Sequence, residues 1–288
     1  MPGPAVAPDD LATLTWGDGE GDGPLAVLLH GFPDHPHTWR HLGPALSDAG
    51  WRVVAPWLPG YPPSPLGRRD PDLDAVATTV RGLIDRHTRG PEDARTLVVG
   101  HDWGSLVAGR VAAGGGVARL VTLAVPPEAA LLRGFLTDPP QLWRSRYAVG
   151  FGLPDGWRRL AGDVDGVVGG LWRAWSPDLQ PDEDDLRAIV RTLAAPGAAR
   201  AATSYYRALR RDLLRGRFPR RMPPTVPTLH LHGTRDGCIG PRVADAARTL
   251  PCTTVVEVAG TGHFLHLEAP AAVATAVLEH AGGPADPR

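Results

Sequence analysis

The chain has 288 residues, 43% of them hydrophobic, and a formal net charge of −1; that length suits one large α/β domain or two small ones, with a substantial core, and the charge gives no electrostatic case for nucleic acid or membrane as a partner. All 30 basic residues are Arg and none is Lys, which excludes Schiff-base and other lysine chemistry. Cys238 and Cys252 have no CxxC or Cys/His spacing, so no metal, disulfide framework or cofactor is expected. The opening residues MPGPAVAPDD lack the basic and apolar regions of a secretory signal. No apolar run approaches the roughly 20 residues of a spanning helix, and a cytoplasmic protein is expected.

Short apolar runs that end at Gly, Pro or His alternate with longer amphipathic segments. The first strand, Leu25–Leu29, runs into His30-Gly31-Phe32-Pro33-Asp34. A helix over His41–Asp48, a strand over Arg52–Ala55 and a helix over Leu73–His87 follow. The next strand, Thr96–Val99, leads through Gly100-His101-Asp102-Trp103-Gly104 into a helix over Ser105–Ala113. Another strand spans Leu120–Val125. Beyond Thr228–Leu231 come Asp236 and a helix over Pro241–Leu250, then the strand Thr254–Val258, the loop Gly260-Thr261-Gly262-His263-Phe264 and a last helix over Pro270–His280. Strands apolar on both faces and alternating with helices predict a mostly parallel, doubly wound sheet.

The alternation stops between residues 127 and 226. That stretch shows no strand pattern, yet it carries four of the nine tryptophans, three of the four tyrosines and 16 of the 30 arginines. It reads as a helical cap inserted over one end of a core made of 1–126 and 227–288. The arginines of Arg207–Arg221 read as the solvated face of a helix and its exit loop.

The segment around Asp102 carries the chemistry. A strand, G-x-D-x-G and a helix make a sharp turn in which glycines avoid backbone collisions and the middle residue is thrust into the open. Ser is commoner there; an Asp carboxylate needs no deprotonation and attacks sp³ carbon to leave an ester on the enzyme. Backbone N–H groups of Phe32 and Trp103 can form an oxyanion hole, and Phe32–Pro33 is a candidate cis peptide. His30 reads as a brace for its loop. His263 follows the nucleophile in the required order and would activate water against the ester, its flanking glycines giving a mobile loop. Asp236 would orient the imidazole, with Glu128 in reserve, and His266 reads as a packing residue.

These residues resemble the epoxide hydrolase and haloalkane dehalogenase branch of the α/β-hydrolase superfamily over nearly the whole chain. The carriers are His30-Gly31-Phe32-Pro33, Gly100-His101-Asp102-Trp103-Gly104, Asp236 and Gly262-His263. The resemblance implies the α/β-hydrolase fold with a helical cap. It also implies that two cap tyrosines donate to an epoxide oxygen. Tyr147 stands in Tyr147-Ala148-Val149-Gly150-Phe151-Gly152-Leu153-Pro154, which departs from the family pattern at Gly152, and Tyr206 in Ser204-Tyr205-Tyr206-Arg207. An apolar epoxide opened with water is the expected reaction, in a pocket lined by Phe32, Trp103, Tyr147 and Tyr206. A dehalogenase would need halide donors, from Trp103 and a cap tryptophan such as Trp143 or Trp172. Two further alternatives are a non-catalytic binder of hydrophobic ligands and an enzyme that opens the epoxide with an internal nucleophile.

Overall fold

Runs with almost no exposed residue become the inner strands of one sheet. They are β2 (Leu25–Leu29), β3 (Arg52–Pro56), β4 (Leu97–His101), β5 (Arg119–Leu123) and β6 (Thr228–Gly233), with β1 (Thr13–Trp16) and β7 (Thr253–Val258) at the edges. The structure, a computed structural model, describes residues 11–17, 23–66, 73–90, 95–216 and 224–282. Strand order is β1-β3-β2-β4-β5-β6-β7, and every pairing is parallel except that of β1 with β3. β1 was not foreseen. Its four residues are half exposed, so they lack the doubly apolar run that marks the inner strands.

Among the described residues, three α-helices belong to the first half of the core: α1 (Leu42–Asp48), α2 (Leu73–His87) and α3 (Trp103–Ala113). Between β5 and β6 the described residues form helices and no strand: α4 (Glu128–Thr137), α5 (Pro139–Arg144), α6 (Arg146–Gly152), α7 (Trp157–Gly162), α8 (Val164–Trp175), α9 (Glu183–Ala194), α10 (Ala198–Ala202) and α11 (Ser204–Leu214). The foreseen helix at Pro241–Leu250 shortens to α12 (Pro241–Asp245) and a 3₁₀ turn; α13 (Leu265–Glu268) and α14 (Pro270–Ala281) end the described chain. The foreseen signal-free N-terminus lies outside the described residues, as do 217–223 of the arginine-rich exit loop. No described helix is long and apolar enough to cross a membrane.

Side chains alternate across the sheet with the period of two that strands impose. Leu25, Val27 and Leu29 pack with Val76 and Val80 of α2 and Val107 and Val111 of α3. Ala26 and Leu28 pack on the other face with Leu42 and Leu46 of α1 and Val273 and Val277 of α14. The chain leaves β2 for β3 on one side and returns to β4 on the other, so the connections diverge at the carboxyl ends of β2 and β4. Ligands bind at such a switch point in open α/β sheets. Phe32 follows β2, and Asp102 follows β4.

Candidate active site

Asp102 occupies the turn from β4 into α3 with φ 51° and ψ −118°, a backbone state that costs a non-glycine residue energy and recurs at functional turns. Close approach explains the glycines around it. A Cβ on Gly100 would lie 2.2 Å from the Gly104 carbonyl oxygen, one on Gly104 2.1 Å from that of Leu29, and one on Gly31 2.4 Å from Asp102 Cβ. The Phe32 N–H therefore reaches Asp102 and donates to Oδ1 at 2.9 Å. Trp103 is the first residue of α3, so its N–H has no acceptor within the helix. Asp102 Oδ2 faces His263 Nε2 at 3.6 Å.

The His30 ring holds this loop from behind, accepting from Leu58 N–H at 3.1 Å and lying 2.9 Å from the Gly31 carbonyl oxygen. Burial lowers its pKa to about 4, which keeps it a neutral brace. The Phe32–Pro33 peptide is cis.

His263 Nδ1 lies 2.9 Å from Asp236 Oδ2, while Asp236 Oδ1 accepts from the N–H groups of Cys238 at 2.7 Å and Ile239 at 2.9 Å. Glu128 is engaged elsewhere, by Arg110 at 2.6 Å. Both line a cavity of about 310 Å³ that includes none of Asp102, Asp236, His263, Tyr147 and Tyr206. His266 is buried against Trp39 and His101, with ring centroids 4.8 and 4.6 Å apart, and its nitrogens make no hydrogen bond. The histidine loop is pinned on both sides. Gly262 N–H donates to Glu268 Oε2, Phe264 N–H to Ser176 Oγ, and His263 N–H to the Trp175 carbonyl. A Cβ on Gly262 would come within 2.6 Å of Ser176 Cα, so close packing accounts for this glycine better than the mobility expected from the sequence.

Electrostatics separate the groups. Burial opposes a charge on His263, but Asp236 and Asp102 outweigh it and raise its pKa from 6.5 to about 10. Burial pulls Asp236 upward, yet the imidazolium and the backbone N–H of Ile239 hold it below the usual carboxylate range. The His263 pKa is higher folded than unfolded, so the pairing stabilises the fold fully below about pH 6.5 and is lost as pH rises towards about 10. Thermal melts across that window should show wild type losing stability as pH rises. Asp102→Asn should lose less, because one carboxylate no longer holds the proton. Equal slopes would contradict this coupling.

The tyrosines meet above the turn. The Tyr206 ring packs at 5.4 Å from Phe32 and 5.0 Å from Trp103, the two residues whose N–H groups flank Asp102. Tyr147 packs 5.9 Å from Tyr206 and 4.8 Å from Trp175, whose ring lies 5.0 Å from that of His263. Burial pushes both phenols well above their ordinary pKa, so both remain proton donors at neutral pH. The Tyr206 hydroxyl is buried without a hydrogen-bond partner. Gly152 stands against α11, where a Cβ would lie 3.4 Å from the Tyr206 carbonyl oxygen; a side chain there would be tight but not blocked.

Three residues escaped sequence reasoning. Trp175 closes the aromatic wall beside His263. Cys238 places its Sγ 3.3 Å from the Tyr147 hydroxyl, and burial keeps it a thiol by raising its pKa. Gln141, wholly buried in α5, donates to the Cys238 carbonyl at 2.9 Å and accepts from Gly240 N–H at 2.8 Å, tying the acid loop to the helices above it. A lone Gln or Cys outside any motif carries no signal of such a role.

Sheet order, the sharp turn after β4 and the carboxylate–histidine–carboxylate row define an α/β-hydrolase. The model of the alpha/beta hydrolase family matches residues 26–276. The chain belongs to that family and is a hydrolase. It is 32% identical over 269 residues to the AB hydrolase superfamily protein YfhM of Bacillus subtilis, with 91% of each chain covered. Epoxide hydrolase A of Mycobacterium tuberculosis is 38% identical over 143 residues, 46% of this chain and 40% of that protein. Among solved structures, an epoxide hydrolase from metagenomes of hot environments superposes with a TM-score of 0.78 at 26% identity, covering 94% of both chains.

Proposed function

We propose that the protein is an epoxide hydrolase that opens an apolar epoxide to a diol through an ester on Asp102. The observation that carries this reading is the pair of phenols whose rings meet at 5.9 Å, Tyr206 buried beside the Phe32 and Trp103 rings and Tyr147 partly buried against Tyr206 and Trp175. Carboxylate attack on an epoxide carbon leaves an alkoxide, a poor leaving group in an apolar pocket unless a donor meets it. The similarity to enzymes named as epoxide hydrolases supports the same reading. A dehalogenase needs halide donors instead, and the two tryptophans expected for that role do not offer them: Trp172 Nε1 donates to the Pro33 carbonyl, and Trp143 is 70% exposed. The filled acid and histidine positions weigh against a non-catalytic binder. Residues 127–226 act as the cap that carries the phenols.

Asp102 Oδ2 attacks the epoxide carbon, the ring C–O bond breaks, and a tyrosine protonates the new alkoxide. Esterification removes one of the two carboxylate charges that hold His263 protonated, so the imidazole becomes a base when one is needed. Its proton restores the phenol, and the net charge of the site is unchanged. Neutral His263 then takes a proton from water as that water attacks the ester carbonyl carbon. The Oδ1 oxyanion faces the N–H groups of Phe32 and Trp103. The bond between the carbonyl carbon and Oδ2 breaks, the departing alkoxide takes the second proton of the attacking water, and the diol leaves with the Asp102 oxygen, restoring the carboxylate and the imidazolium.

The test compares styrene oxide-type epoxides with bromoalkanes. Diol formation without halide release is the expected outcome. Halide release without epoxide turnover would make the haloalkane reading the better one.

A further inference from the structure

The whole-chain charge of −1 conceals a basic, apolar face on the helices between β5 and β6. Of the exposed large apolar side chains among the described residues, all but Val256 lie there: Leu136, Leu142, Trp143, Val149, Leu153, Leu213 and Leu214. Along α5 and α6 the exposed positions Leu142, Arg146, Val149 and Leu153 recur at helical spacing, while Gln141, Phe151 and Gly152 of the same helices are buried. The ridge continues onto α11, since Arg210 packs beside Gly152 and Leu213 and Leu214 lie one turn further on. Arg146 stacks over the Trp143 ring at 4.3 Å.

Charge identifies what this face fits. Residues 133–160 and 207–216 contain nine arginines and three carboxylates. The buried Asp138 and Asp212 lie 3.7 Å from Arg144 and 3.7 Å from Arg211, and the exposed Asp155 pairs with Arg158 at 3.2 Å, so the arginines still outnumber the carboxylates that they face. A twofold contact with a second copy would set these arginines against one another, and self-association is disfavoured. An anionic lipid surface meets both features: arginines at headgroup depth, with Trp and Leu just below. We infer that the outer face of α5, α6 and the end of α11 docks the enzyme peripherally on anionic membranes. Phe151, on the inner side of α6, faces Tyr206 at 5.5 Å. The same helix thus borders the candidate site and the lipid, a short path for an apolar substrate if the reading above holds.

The test needs no turnover, so its failure would leave that reading intact. Wild-type protein is floated with vesicles of phosphatidylcholine alone or mixed with phosphatidylglycerol, at low and high salt. Two triple variants, Leu142→Ser/Trp143→Ser/Val149→Ser and Arg146→Glu/Arg210→Glu/Arg215→Glu, follow, with circular dichroism to verify folding. The expected result is binding to the anionic vesicles only, reduced by salt and lowered about tenfold or more in either folded variant. The inference is overturned if wild type ignores anionic vesicles or binds neutral ones equally. It also fails if light scattering shows a dimer that the apolar variant dissolves, or if binding survives in the variants.

Discussion

Replacing His263 with Gln is expected to halt the enzyme after a single ring opening, with the substrate left as an ester on Asp102. The carboxylate Oδ1 is already held by Phe32 N–H, and Oδ2 needs no base to attack. Hydrolysis of the ester is different, since water there requires a proton acceptor, and Gln cannot accept the proton. Steady-state turnover should fall by about 10⁴-fold or more, as for loss of one member of a catalytic unit. Intact-protein mass spectrometry should meanwhile show one added substrate mass. Asp236→Asn should slow the same step, because it abolishes the anion that bonds Nδ1 and stabilises the imidazolium. Undiminished turnover in the His263 variant would remove the histidine from the mechanism.

The second large effect belongs to the phenols. Losing one donor to a developing oxyanion typically costs about 10²–10³ in rate, or roughly 3–4 kcal/mol. Tyr147 and Tyr206 pack within one cluster, their rings 5.9 Å apart, and they can partly substitute for each other. Each single Phe variant should therefore lose less alkylation rate than the Tyr147→Phe/Tyr206→Phe double variant, which should lose about 10²-fold or more. Removing two hydroxyls leaves the aromatic contacts with Phe32, Trp103 and Trp175 in place, so the thermal midpoint should move little. A double variant that opens epoxides at the wild-type rate would leave the cap phenols without a part in ring opening.

How much of this was legible in the sequence depends on the range over which each residue acts. The turn at Asp102 is local, because Gly100 and Gly104 are fixed by collisions within a few residues and with the neighbouring strand. The strand-end positions of Asp236 and His263 follow from chain order in a parallel sheet, which is why they could be proposed together. β1 was illegible because a half-exposed four-residue edge strand lacks the apolar run that marks its neighbours. Trp175, Gln141 and Cys238 were illegible for another reason. Gln141 meets Cys238 across a sequence separation of 97 residues, and only the packing of α5 against the loop after β6 creates that meeting. The alternatives for the orienting acid diverge in the same way. Sequence leaves Asp236 and Glu128 both behind strands, whereas geometry ties Glu128 to Arg110 and brings Asp236 to the imidazole.

The central claim is that Asp102, rather than water, opens the substrate, and a single turnover in heavy-oxygen water tests it most directly. With enzyme in excess over a styrene oxide-type epoxide, the first diol should carry an unlabelled oxygen from the Asp102 carboxylate. The heavy oxygen should then be found in the peptide that contains Asp102, put there when labelled water attacks the ester carbonyl carbon. Diol that carries solvent oxygen after the first turnover, with an unlabelled Asp102, would contradict the ester mechanism.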